Sequence, residues 1–164
     1  GYFNDALFIG DSRMVGIEMM QTIDGATFFT TVGLSLTGAM STSADVAGVG
    51  TTTLPALLQS RQFGKVYVML GINDIGGSVE ALKQTYSDLV DKLRASQPDA
   101  IIYIMSNLHV SATQDSRVTA VNNANPCRRR DDILSRVQRP VRRCKRNALL
   151  GHNLRRYPPR RQRL

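Results

Sequence analysis

The first 125 residues predict a doubly wound, three-layer α/β/α domain built on a mainly parallel sheet. Three observations lead there. Short runs that are apolar at every position recur along this part of the chain, each ended by a glycine or a polar turn. Strands of that kind are covered on both faces, which is the condition of a parallel sheet between helix layers. Segments with helical periodicity separate these runs, and a β-α-β-α order feeds a parallel sheet. After residue 125 neither pattern continues, so the last strand and helix of such a domain are expected to be missing.

Ala6-Leu7-Phe8-Ile9 is the first strand, ended by Gly10-Asp11-Ser12. Met14 to Met20 reads as a short apolar helix. Phe28-Phe29-Thr30-Thr31-Val32 is a second strand of aromatic and β-branched residues, closed by Gly33. Thr53 with Pro55 forms an N-cap and first-turn pair for a helix carrying Leu54, Leu57 and Leu58. Val66 to Leu70 is the third strand, ended by Gly71. The clearest helix follows Ser78, with Val79, Leu82, Tyr86, Leu89, Val90 and Leu93 on one stripe. Pro98 stops it, and Ile101 to Met105 is the fourth strand.

Charge divides the chain at the same place. Residues 1–126 hold seven Lys and Arg against eleven Asp and Glu, whereas the last 38 residues hold fourteen against two. The formal net charge of +8 therefore describes the basic segment and not the domain. With Arg128-Arg129-Arg130, Arg142-Arg143, Arg155-Arg156 and Arg160-Arg161 and few apolar residues, residues 126–164 are expected to be largely disordered. An unpaired sheet edge is the expected consequence. Cys127 and Cys144 show no CxxC and no histidine at ligand spacing, so they signal neither zinc nor redox chemistry; a disulfide between them is possible but nothing demands it. No run approaches the ~18 apolar residues of a membrane span, and no charged leader with an apolar stretch is visible. The chain reaches its first strand by Ala6, which suggests a processed or trimmed start and leaves the compartment unread.

In a doubly wound sheet, sites form outside the carboxyl ends of the strands. Three polar constellations fall there: Gly10-Asp11-Ser12, Gly33-Leu34-Ser35 and Gly71-Ile72-Asn73-Asp74. Ser12 lies where a helix start offers free N–H groups and a favourable dipole to an anion. Gly33 lets a backbone N–H approach a ligand with no side chain in the way. Asn73 carries an amide that can donate to the same oxygen. Taken singly, Ser12 reads as an N-cap, Gly33 as a turn glycine and Asn73-Asp74 as a turn or cap. Their occurrence in order at three successive strand ends favours an oxyanion-stabilising site instead.

Phe8-Ile9-Gly10-Asp11-Ser12 resembles the first block of the SGNH hydrolases, the GDSL-like lipases and esterases. Gly33 in Thr31-Val32-Gly33-Leu34-Ser35 resembles their second block, and Gly71-Ile72-Asn73-Asp74 their third. The resemblance spans about residues 5–125 and implies a flavodoxin-like fold with Ser12 as the catalytic nucleophile. It implies an oxyanion hole of the Ser12 and Gly33 N–H groups and the Asn73 side chain, with Asp11 and Asp74 supporting. It also implies a small-molecule or carbohydrate ester substrate, O-acetyl groups on sugars among them, no metal or cofactor, and a secreted or cell-envelope setting.

The family's fourth block, an Asp-x-x-His that supplies the general base, is not found in this chain. Its two histidines are His109 and His152. His109, after the fourth strand, is the candidate for a substrate-rim contact or substitute base; His152 has no aspartate three residues earlier. A serine hydroxyl without a base is a poor nucleophile at neutral pH, so turnover is expected to be impaired. A shifted reading frame after about Asn125 accounts for the break. Translation of the other two frames of the gene is then expected to restore a strand, a helix and an Asp-x-x-His, and failure in both frames removes the idea. Two other readings stand beside the hydrolase. One is a binding protein whose basic segment grips anionic polymers, with salt-sensitive affinity; Tyr157 alone offers little base stacking, so no nucleic acid is expected. The other is a silent domain that binds an acylated ligand in the same cleft.

Overall fold

The apolar runs become neighbouring strands of one sheet. In the computed structural model residues 1–107, 115–124 and 141–144 are described. They form β1 (Ala6–Gly10), α1 (Ser12–Met19), β2 (Thr27–Thr30), β3 (Ser43–Val46), β4 (Gly50–Thr53), α2 (Leu54–Ser60) and β5 (Lys65–Met69). A single 3₁₀ turn (Ile72–Asp74), α3 (Val79–Ser96), β6 (Ile101–Met105), α4 (Asp115–Ala124) and β7 (Val141–Cys144) follow. The main sheet runs in the order β2-β1-β5-β6-β7. β1 is parallel to both β2 and β5, and β5 is parallel to β6. The chain leaves β1 toward β2 and returns to the other side of β1 at β5. The reversal opens a crevice at the carboxyl ends of β1 and β5.

Strand side chains alternate between two cores, so a run that is apolar throughout feeds both. Leu7, Ile9, Val66, Val68, Ile102 and Ile104 pack in one core with Leu54, Leu57 and Leu58 of α2 and Leu82, Tyr86, Leu89, Val90 and Leu93 of α3. Val121 and Ala124 of α4 join the same core. The opposite face is covered by α1 through Met14 and Ile17, and there the strands turn up Ala6, Phe8, Tyr67 and Met69. On that face an aromatic ladder crosses four strands. Phe28, Phe8, Tyr67 and Tyr103 stack in sequence, with centroids 5.1, 4.6 and 4.7 Å apart and planes within 18°. Offset-parallel rings at such spacings add to what burial alone contributes.

The doubly wound, mainly parallel α/β architecture is as expected, and the helix signals fell in place. Thr53 caps α2 through Ala56 N, and Ser78 caps α3 through Ala81 N at 3.1 Å. Three elements were not foreseen. The β3–β4 hairpin is antiparallel, with Ala44 and Val46 inward and Ser43 and Asp45 outward. α4 buries Val118, Val121 and Ala124 and lies against α3. The expected open edge at β6 is a correction: Val141–Cys144, inside the basic segment, pairs antiparallel to it, Met105 opposite Val141. Strand pairing uses backbone groups, so a free edge can take an extended segment that no apolar pattern announces. Residues 125–140 and 145–164, with the rest of the expected disordered segment and Cys127, lie outside the described residues.

Candidate functional site

Strand register sets the positions of the three polar blocks. Gly10 is the partner of Thr30 on one side and of Met69 on the other, so three strand ends stand abreast. Neighbouring strands are roughly 4.8 Å apart. Ser12 follows β1 by two residues, Gly33 follows β2 by three and Asn73 follows β5 by four. All three are exposed, while Asp11 beside Ser12, Leu34 beside Gly33 and Gly71 two residues before Asn73 are buried.

Ser12 is the first residue of α1, and the cap is Asp11, not Ser12. The carboxylate of Asp11, wholly buried, accepts the Arg13 N–H at 3.1 Å and the Arg13 guanidinium at 2.8 Å (Nε) and 2.5 Å (Nη2). Capping is thus taken over by the neighbour, and the Ser12 hydroxyl and N–H have no partner among the described residues. The first N–H groups of a helix have no intrahelical acceptor. Ser12 therefore presents a hydroxyl and a donor together at the positive end of a helix.

Gly33 has φ +78°, and a side chain there would meet nothing within 4 Å. Its N–H too has no partner among the described residues. Val32 beside it is 75% exposed. Asn73, in the 3₁₀ turn, donates from Nδ2 to the Leu34 carbonyl at 2.9 Å, and its second amide hydrogen has no partner among the described residues. Asp74 accepts the Leu36 N–H at 2.8 Å. Thr31 N–H reaches the Gly10 carbonyl at 3.3 Å. The first block is thereby tied to the second, and the second to the third.

The turn that carries Asn73 is held from below. Gly71 takes φ +110°, and a Cβ there would stand 2.5 Å from Val121 Cγ1 and 3.2 Å from the Tyr86 hydroxyl. The Leu70 carbonyl accepts that hydroxyl at 2.6 Å and Asn107 Nδ2 at 3.1 Å. Asn122 brackets Asn107 from α4, accepting the Asn107 N–H at 2.7 Å and donating to its carbonyl at 2.9 Å. Burial, then the Asp74 carboxylate, push the Tyr86 hydroxyl well above its usual range, with the Arg13 guanidinium pulling the other way. Asn107 Oδ1 and Arg13 Nη1 are buried and have no hydrogen-bond partner among the described residues.

Sequence reasoning missed Arg13, Tyr86, Asn107 and Asn122. Asn107 carried a signal, since it stands directly after a strand at the end where sites form. His109 and His152, the two histidines, lie outside the described residues. Among the described residues no group of three or more His, Cys, Asp or Glu could hold a metal ion. No described helix is long and apolar enough to cross a membrane.

No protein-family model matches the chain, and no curated protein matches it either. Among solved structures it is similar to an active-site mutant of a family two carbohydrate esterase from Clostridium thermocellum, at 19% identity and a TM-score of 0.46. That match covers 72% of this chain and 48% of the other, so the chain spans about half the length of its structural neighbour. A likeness of that size carries no argument about chemistry, and the site stands on its own residues.

Proposed function

We propose that residues 1–125 form a serine hydrolase domain of the SGNH kind that cleaves carboxylic esters, small or carbohydrate-borne, through an acyl-Ser12 intermediate. The observation that supports this most is the release of Ser12 from capping. Asp11 takes the cap, and an exposed hydroxyl is left beside a free helix N–H at the end of β1. The Ser12 oxygen attacks the ester carbonyl carbon, and the displaced electron pair rests on the carbonyl oxygen. The Ser12 N–H, the Gly33 N–H and Asn73 Nδ2 are the donors for that oxyanion. Collapse expels the alcohol and leaves the acyl group on Ser12, and water then releases the acid. Each donor of this kind is worth roughly 10²–10³ in rate.

The sequence holds no Asp-x-x-His to take the Ser12 hydroxyl proton, so solvent water takes it and returns a proton to the departing alkoxide. Turnover is therefore slow, while Ser12 stays open to activated electrophiles. An organophosphonate serine probe tests this. Peptide mapping is expected to find the adduct on Ser12, and Ser12→Ala is expected to abolish it. Absence of labelling at Ser12 would leave the silent acyl-ligand-binding domain as the better reading of the same cleft.

A further inference from the structure

The third block does more than bring a carboxamide to the site. Asp74 stands one residue beyond Asn73, and its carboxylate turns toward the loop after β2. Oδ2 accepts the Leu36 N–H at 2.8 Å, and Oδ1 accepts the Thr37 hydroxyl at 3.4 Å. With the Asn73 bond to the Leu34 carbonyl, two adjacent side chains hold Leu34, Leu36 and Thr37 across some 38 residues of sequence. The loop closes on itself downstream: Ser35 Oγ accepts the Gly38 N–H at 3.0 Å and lies 3.1 Å from Thr37 Oγ1.

Gly33 sits just upstream of this clasp and has no anchor of its own. Its left-handed backbone faces open space, and its N–H is unpartnered among the described residues. On its amino side the ties are long ones, Thr31 N–H to Gly10 O and Leu34 N–H to Thr31 O, both at 3.3 Å. On its carboxyl side two short bonds hold the loop, Asn73 Nδ2 to the Leu34 carbonyl at 2.9 Å and the Leu36 N–H to Asp74 at 2.8 Å; the second is charge-assisted, and such bonds are about twice as strong as neutral ones. A rigid donor therefore draws on the Asp74 bond as well as on Asn73. An oxyanion donor is useful only when held within about 0.5 Å of its target.

We propose that Asp74 is a positioning residue, whose carboxylate clasps Leu36 and Thr37 and so aims the Gly33 N–H at the developing oxyanion. This deepens the hydrolase reading and rests on it. Phosphonylation of Ser12 in the full chain, followed over probe concentration, separates the limiting rate from the half-saturating concentration. Asp74→Ala is expected to lower the limiting rate about 10- to 100-fold with half-saturation unchanged, because the donor acts in the transition state alone. Asp74→Asn keeps an oxygen for the Leu36 N–H and is expected to return the rate to within about threefold of the native chain. A residue that only held the fold together would lower the labelled fraction and leave the limiting rate of the labelled molecules unchanged.

A native chain labelled at Ser12 with Asp74→Ala labelled as fast overturns the positioning role alone. A native chain that resists labelling overturns both readings. Amide hydrogen exchange on the native chain gives a test that no variant's folding can spoil. The Leu36 N–H is expected to be protected; exchange as free as that of an exposed loop amide refutes the clasp.

Discussion

At the amino ends of the strands the buried Gln97 uses every polar atom of its side chain, whereas at the carboxyl ends several polar groups stand unused. Gln97 Oε1 accepts the Phe63 N–H at 2.7 Å, and Nε2 donates to the Leu58 and Arg61 carbonyls at 2.8 and 2.9 Å. One side chain thus joins the exit of α2, the entry of β5 and the end of α3. At the other end the Ser12 and Gly33 N–H groups, Arg13 Nη1 and Asn107 Oδ1 have no partner among the described residues, and Gly33 and Gly71 take left-handed backbone. A buried group with all its bonds made stabilises and is inert, while a donor held ready and unmade is what a substrate oxygen can use. The fold keeps these two tasks some five residues of strand apart.

Breaking the amino-end clamp should have the largest effect on stability. Gln97→Leu removes three hydrogen bonds and leaves one N–H and two carbonyls to seek water, a loss of about 3–5 kcal/mol. Chemical denaturation checks this, and a loss under about 1 kcal/mol would mean that the end is not clamped as described. At the carboxyl end two glycines separate strain from steric exclusion. Gly71→Ala meets both a left-handed backbone and the Val121 and Tyr86 side chains, and should cost about 2–4 kcal/mol. Gly33→Ala meets open space and should cost about 1 kcal/mol. Equal losses for the two would remove the distinction.

Alkali is the mildest probe, and it acts at both ends. Burial first, then Tyr2, push the Tyr67 hydroxyl up from 10.0 to about 12, and the Tyr86 hydroxyl is raised as well. The fold thus favours the neutral phenols over the unfolded chain. Their contribution is complete below the unfolded value near pH 10 and is lost as pH rises toward 12. Denaturation midpoints should hold steady up to about pH 10 and then fall; a flat profile to pH 12 would contradict the shifts.

Much of this was legible in the sequence, for identifiable reasons. β1 and β5 showed because both faces are buried, β6 because its half-buried face is apolar too, and α3 because a long stripe repeats over five turns. The β3–β4 hairpin did not, because Ser43, Thr51 and Thr52 give only a two-residue apolar alternation, Ala44 and Val46. α4 carries three buried apolar residues among polar ones, and β7, Val141–Cys144, has two arginines and no apolar run. The three site blocks were visible as strand-end motifs. The bonds that join them were not: Asn73 to Leu34 and Asp74 to Leu36 exist only once the strands align. Asp11 displacing Ser12 from the cap is a local choice between adjacent capping residues, which composition does not decide.

The chain contains no tryptophan, so its intrinsic emission comes from five tyrosines. Tyr67 lies sandwiched between Phe8 and Tyr103, in the middle of the aromatic ladder. Excitation absorbed by Phe8 or Tyr103 passes readily to Tyr67 between rings so close, and that transfer fails when the strands separate. The protein thereby carries its own optical gauge, one that reports whether β1, β5 and β6 are still side by side without any dye attached.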